Sequence, residues 1–161
     1  MTDQALVEAL RHSRLGTELT SEQMQILAGI LAFRDLEPGD VLVPQGTSDN
    51  HLYVIVRGAL AVVRNAETPE RVTLLTLTAG DLVGELSFID ETPHYASLVA
   101  TSPTRVLGLE RERLEALLAK EPLVVYRVMR AIVRTMHEIQ RRISMHATEL
   151  TNYIYKQHGK Y

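Results

Sequence analysis

Residues 81–100 read DLVGELSFIDETPHYASLVA. A Gly-Glu pair, Gly84 and Glu85, opens onto small and apolar residues; an acidic turn, DETP, follows, and a further apolar stretch begins at Ala96. Gly84 allows the main chain to approach a ligand closely. The Glu85 carboxylate can accept hydrogen bonds from sugar hydroxyls. Leu86, Ser87 and Phe88 are expected to start a short helical turn whose free N–H groups attract an anion. After the turn, Tyr95, Ala96 and Ser97 bring further backbone donors back to the same place. Such a loop suits a phosphorylated sugar held inside a β-roll. A carboxylate at a helix N-terminus is also stabilising with no ligand present, so Glu85 by itself decides nothing.

Outward from this stretch the pattern is β. From Glu37 to about Leu109 short runs of Val, Leu and Thr alternate with turn signals: EPGD, GTSDN, Arg57-Gly58, NAETPE, TAGD, DETP and TSPT. Evenly spaced short strands predict a sandwich or barrel rather than a parallel sheet with helical crossovers. EPGDVLV and TAGDLVG are weakly alike, as two halves of a jelly roll would be. The fold class read here is mainly β with flanking helices: a jelly-roll β-roll of about eight strands, N-terminal helices and a long C-terminal helix. The chain reads as a single domain over 1–161, with N-terminal helices over 1–36, the roll over 37–109 and C-terminal helices over 110–155.

On the N-terminal side, Asp3 to Arg11 is amphipathic. Thr20 with Gln23 three residues later has capping-box spacing, placing Met24, Leu27, Ile30 and Leu31 on a buried helix face. On the C-terminal side, Glu110 to Ala119 predicts one short helix and Pro122 the first turn of the next. Apolar residues then fall at Val125, Met129, Ile132, Met136, Ile139 and Ile143, continuing through His146, Leu150 and Tyr153. That seam of alternating steps of four and three predicts a homodimeric coiled coil through residues 122–155. Arg127, Arg130, Arg134 and Arg141 lie off the seam.

Composition bounds the rest. With 161 residues, 45% of them hydrophobic, the chain can bury one sizeable core. It has no Cys, which removes thiol chemistry and disulfides and fits a reducing compartment. The N-terminus lacks a basic region followed by an apolar run, and no stretch approaches the roughly 20 apolar residues of a membrane span. A soluble, cytoplasmic protein is expected. Residues 120–161 hold eight Lys or Arg against three Glu, so a basic tail follows an acidic body. That tail reads as a solvated helix face near opposite charge, and alone it does not make a nucleic-acid reader. Neither GxxxxGK[ST] nor GxSxG occurs, and the six His include no His-x-His and no i,i+4 pair. Metal-dependent β-roll chemistry is therefore a poor reading, and no enzyme activity and no required cofactor are expected.

The order of these pieces resembles a known family. GDLVGELSFIDETPHYASLVA is similar to the phosphate-binding cassette of cyclic-nucleotide-binding domains of the catabolite-activator type, matching without a gap from Gly84 through Pro93 to Ala96. LRHSRLGTELTSEQMQILAGILAFRDLEPGDVLVPQG resembles the family's N-terminal helices and first strand, DNHLYVIVRGALAV its strand-Gly-strand hairpin, and the terminal helix its dimerising helix. The resemblance covers nearly the whole chain. It implies a ligand-sensing regulatory domain for cyclic AMP or cyclic GMP, bound by Gly84, Glu85, Leu86, Ser87, His94, Tyr95 and Ala96. The nucleobase would meet the long helix near Thr135 and Gln140, and a partner protein would read the helix arrangement. Family members that regulate transcription carry a helix-turn-helix domain after this helix, and none is expected before Tyr161.

One position departs from the pattern. The family's phosphate-binding Arg falls at position 94, where this chain has His94. Arg presents a rigid fork that is always charged, whereas imidazole is shorter and ordinarily titrates near about 6.5. Losing a charge-assisted hydrogen bond of this kind costs about 1.5–3 kcal/mol, or roughly 10- to 100-fold in affinity. Three readings follow: phosphate still binds, preferentially to protonated imidazole; the pocket holds another small anion or other ligand; or the chain is a dimeric adaptor that has lost nucleotide binding.

Overall fold

The structure, a computed structural model, describes residues 2–158; Met1 and residues 159–161 lie outside the described residues, as do the side chains of Thr2, Tyr155, Gln157 and His158. Helix α1 (Thr2–Arg11) buries Leu6 and Leu10, one turn apart on one face. A single 3-10 turn (Gly16–Glu18) leads to helix α2 (Ser21–Ala28), which buries Met24, Leu27 and Ala28. The expected capping box is present. Gln23 N–H donates to Thr20 Oγ1 at 3.2 Å, and Thr20 N–H donates to Gln23 Oε1 at 3.1 Å.

The roll begins earlier than Glu37. Helix α2 stops at Ala28, and Leu31 opens strand β1 (Leu31–Leu36) instead of continuing the helix's buried face with Ile30. The cause is tertiary. β1 finds a full antiparallel ladder on β8 (Thr104–Glu110), from Leu31 opposite Leu109 to Leu36 opposite Thr104. Between them run β2 (Val41–Val43), β3 (His51–Arg57), β4 (Ala59–Arg64), β5 (Val72–Thr78), β6 (Leu82–Val83) and β7 (Ser97–Ala100). The eight strands form two antiparallel four-stranded sheets, ordered β1-β8-β3-β6 and β2-β7-β4-β5. This is the jelly-roll architecture that the strand spacing implies.

Two packing layers explain the apolar run HLYVIV. Leu52 and Val54 of β3 face a core shared with α1, α2 and the last helix, while Tyr53 and Ile55 face the interior of the roll with Leu60, Val62 and Leu98. A strand buried on both sides needs apolar residues at every position. The chain then crosses between sheets at Gly58, whose φ is +84°. A Cβ there would sit 2.4 Å from Thr104 Oγ1, so only glycine fits.

Helix α4 (Arg111–Glu115) is shorter than the expected Glu110–Ala119. Pro122 opens helix α5 (Pro122–His158), whose 37 residues extend about 55 Å. The start of the expected seam is consumed within the chain: Ile132 is buried, and Val125 and Met129 pack against the helix-side core beside Val124, Val128 and Ala131. Further on, Ile143 and Leu150 are each 62% exposed. The basic face is partly used as well. Arg130 Nε lies 3.1 Å from Glu18 Oε2 and Arg134 Nη1 2.7 Å from Glu18 Oε1, joining tail to acidic body. Among the described residues no helix is long and apolar enough to cross a membrane.

Candidate functional site

Residues 82–100 fold as expected into strand β6, a short helix and strand β7. Helix α3 (Glu85–Asp90) starts at Gly84, whose φ is +82°. A Cβ at Gly84 would lie 3.1 Å from the His51 carbonyl and 3.9 Å from His94 Cε1, so the glycine answers both a left-handed backbone and a close approach. Phe88 anchors α3 in the helix-side core. Ser87 ties it to the β2–β3 loop: its hydroxyl donates to the Asp49 carbonyl at 2.7 Å and accepts from Asp49 N–H at 3.0 Å. The returning strand is pinned to the same loop, with His94 N–H donating to the Thr47 carbonyl at 2.9 Å and Gly46 N–H to the His94 carbonyl at 2.8 Å.

These elements enclose a cavity of about 520 Å³ between the cassette, strands β4 and β5, and α5. Gly84, Glu85, Leu86, His94, Tyr95 and Ala96 line one wall, and Gln140 lines the wall made by α5. Ser87 and Thr135 lie off it. Ser87 is fully buried on the Asp49 side of the cassette, and Thr135 is buried on α5. The helix register explains Thr135: it falls on the stripe of Val124, Val128 and Ala131 that packs into the body, while Met136, His137, Gln140 and Ser144 face the cavity. Sequence reasoning missed His137 and Ser144, although the spacing of 136, 140, 143 and 144 on one helix face carried the signal. It also missed Asp49, which is 45 residues from His94 and has no local signature.

The cavity is mostly apolar, and its electrostatics are uneven. Val62, Leu75, Leu77, Met136, Ile139 and Ile143 form much of its surface. Among the described residues that line it, none is Lys or Arg; the basic side chains are His94 and His137. Burial pushes the Glu85 carboxyl above the ordinary glutamate range, partly offset by its own backbone N–H and by His94. Burial and then the Glu85 charge also raise the Tyr95 phenol, and both groups line the cavity. His94 does not stand alone: its side chain is 9% exposed and its Nε2 lies 3.3 Å from Asp49 Oδ1. Among the described residues no group of three or more His, Asp or Glu is placed to hold a metal ion.

Residues 33–121 match the family model of the cyclic nucleotide-binding domain. The chain belongs to the cyclic nucleotide-binding domain family. It is 28% identical over 136 residues to the cyclic AMP receptor protein of Thermus thermophilus, a match covering 84% of this chain and 63% of that protein. It is 23% identical over 110 residues to a CRP-like cAMP-activated global transcriptional regulator of Mycobacterium tuberculosis, covering 68% of this chain and 49% of the relative. The chain thus spans between about half and 63% of the length of these relatives. A crystal structure of a cyclic nucleotide-binding domain from Methylobacillus flagellatus superposes with a TM-score of 0.76 at 24% identity, over 87% of this chain and 79% of that one, and shares the fold. Members of the cyclic nucleotide-binding family are regulatory domains that take a small-molecule ligand.

Proposed function

We infer that this chain is a non-enzymatic, cytoplasmic ligand-sensing module that binds cyclic AMP or cyclic GMP in the cavity between cassette and α5, with affinity lowered by His94. The observation that carries this reading is the cavity itself, with Gly84, Glu85 and Ala96 on one wall and Gln140 on the opposite wall. Glu85 supplies an acceptor for ribose hydroxyls, and the apolar lining suits a base held against Ile139 and Met136. A ligand that touches both walls favours the arrangement in which they are close, so binding shifts the population of α5 positions. The exposed distal half of α5, from Ile143 onward, is the surface through which two copies pair and a protein partner reads that shift.

A second reading, an adaptor that keeps the fold without binding a nucleotide or that holds a different ligand, is favoured by the lack of Lys and Arg among the described residues of the lining. Calorimetric titration with cyclic AMP and cyclic GMP at about pH 6 and about pH 8, either side of the ordinary imidazole value, separates the two. Weak binding at the lower pH, strengthened about 10- to 100-fold in His94→Arg, supports a nucleotide sensor. Absence of heat at both pH values in the wild-type chain sinks that reading in favour of the second.

A further inference from the structure

We propose that Asp49 is the positioning residue of this site: by accepting the Nε2–H of His94 it leaves Nδ1 for the ligand, and so makes binding of an anionic group depend on uptake of one proton. The proposal rests on the ligand class inferred above. A neutral imidazole carries one N–H and one lone pair. Asp49 Oδ1 lies 3.3 Å from His94 Nε2, and a carboxylate only accepts, so Nε2 holds the hydrogen. The hydrogen bond and the ion pair of the His94 ring both run through Nε2, and the ring lines the cavity. In the neutral ring Nδ1 therefore presents a lone pair, which repels a phosphate oxygen. In the imidazolium it presents an N–H, which donates to one. The step is a proton moving from a solvent or buffer acid to Nδ1 as the anion arrives, leaving that donor's conjugate base in solution.

Asp49 is itself held from several directions. Its Oδ2 accepts the Tyr53 hydroxyl at 2.9 Å and its Oδ1 accepts His51 N–H at 3.4 Å, while Ser87 clips its main chain to α3. Tyr53 stays a donor throughout, because burial beside the Asp49 charge raises its phenol far above the usual range. The groups arranged about His94 are few. Asp49 reaches it from the β2–β3 loop and Tyr53 backs Asp49 from β3. Glu85 acts on it from α3, Tyr95 adjoins it in the chain, and His137 lines the same cavity from α5. Asp49 also borders an open cleft with Ser48, His51, Glu91 and Arg111 on its other side, which gives solvent a path to the pair. An arginine at position 94 would need no such partner to be charged.

Two measurements test this. The first counts protons, by titrating cyclic AMP into the protein at about pH 7.5 in buffers of different ionisation enthalpy. The wild-type chain takes up protons as the nucleotide binds, and its affinity falls as pH rises. His94→Arg takes up none. In Asp49→Asn the amide can turn its NH₂ to His94, freeing the Nδ1–H tautomer, so proton uptake drops toward zero. Tyr53→Phe keeps the proton count and loses only a few-fold in affinity. The second measurement needs no ligand: two-dimensional ¹⁵N NMR of the imidazole at about pH 8 shows His94 as the Nε2–H tautomer, shifted toward Nδ1–H in Asp49→Asn. Binding without proton uptake, an unchanged count in Asp49→Asn, or an Nδ1–H tautomer in the wild-type chain each overturns the proposal. Failure of cyclic AMP to bind at any pH overturns the ligand class and the coupling together, a result distinct from the other three.

Discussion

His94 stands on a cavity wall whose carboxylate is Glu85, and no Lys or Arg is among the described residues of that lining. Glu85 has its pKa raised by burial. A raised folded-state pKa contributes stability that is present below the ordinary glutamate value of 4.5 and lost as pH rises through the folded value. Ionised Glu85 is thus a small burden on the ligand-free fold at neutral pH, relieved when hydroxyl groups donate to it. Glu85→Gln should match the wild-type chain in stability at about pH 4 and exceed it near pH 7, while binding nucleotide more weakly; paired urea titrations at the two pH values check the sign. Gly84 gives a simpler prediction. Gly84→Ala forces a side chain into φ +82° and against the His51 carbonyl, so a loss of about 1–3 kcal/mol in urea denaturation is expected.

Among the elements, the segment from Arg14 to Glu18 links parts that are far apart in sequence. Arg14 Nε bonds Asp81 Oδ1 at 3.0 Å, at the turn leading into β6 and the cassette, and its guanidinium also pairs with Glu138 on α5. The Arg14 main-chain N–H donates to the Gly80 carbonyl at 3.0 Å. Four residues on, Glu18 takes Arg130 and Arg134, its own side chain only 4% exposed. Glu18→Gln leaves those guanidinium groups facing a neutral amide and is expected to lower stability by about 1–3 kcal/mol. Hydrogen exchange should quicken most in α5 over residues 130–140, nearest the lost clamp; uniform loss of protection across the chain would count against it. Phe88 fixes the cassette from the other direction. Phe88→Ala should cost about 3–5 kcal/mol and weaken binding as well, since α3 carries Glu85.

At the scale of the molecule the two halves of α5 do different work. The first half is part of the domain core through Val124, Val128, Ala131 and Ile132. The second half carries Ile143 and Leu150, each largely exposed. On the dimer reading these residues meet a second copy. Ile143→Asp together with Leu150→Asp should then convert a dimer to a monomer in light scattering, with the thermal midpoint of the domain little changed. A wild-type chain that is monomeric at micromolar concentration would remove the dimer. The same experiment bears on the proposed sensing, because Ile143 also lines the cavity, so on the dimer reading one residue would serve both pairing and ligand occupancy.

The strand count, the capping box at Thr20, the short helical turn after Gly84 and the long last helix were all legible in the chain, because each depends on neighbours a few residues away: turn chemistry, side-chain period and cap spacing. Three things were not. Leu31 reads as the end of a helix until Leu109 stands opposite it in the sheet. Thr135 reads as a polar group free to meet a ligand until the body of the domain covers its face of α5. His94 reads as a bare imidazole until the β2–β3 loop brings Asp49 to 3.3 Å from its ring. In each case the deciding partner is many tens of residues distant, or lies on a surface formed only when the helices close on the roll. Local sequence sets which elements form; which side chains those elements bring face to face depends on their packing.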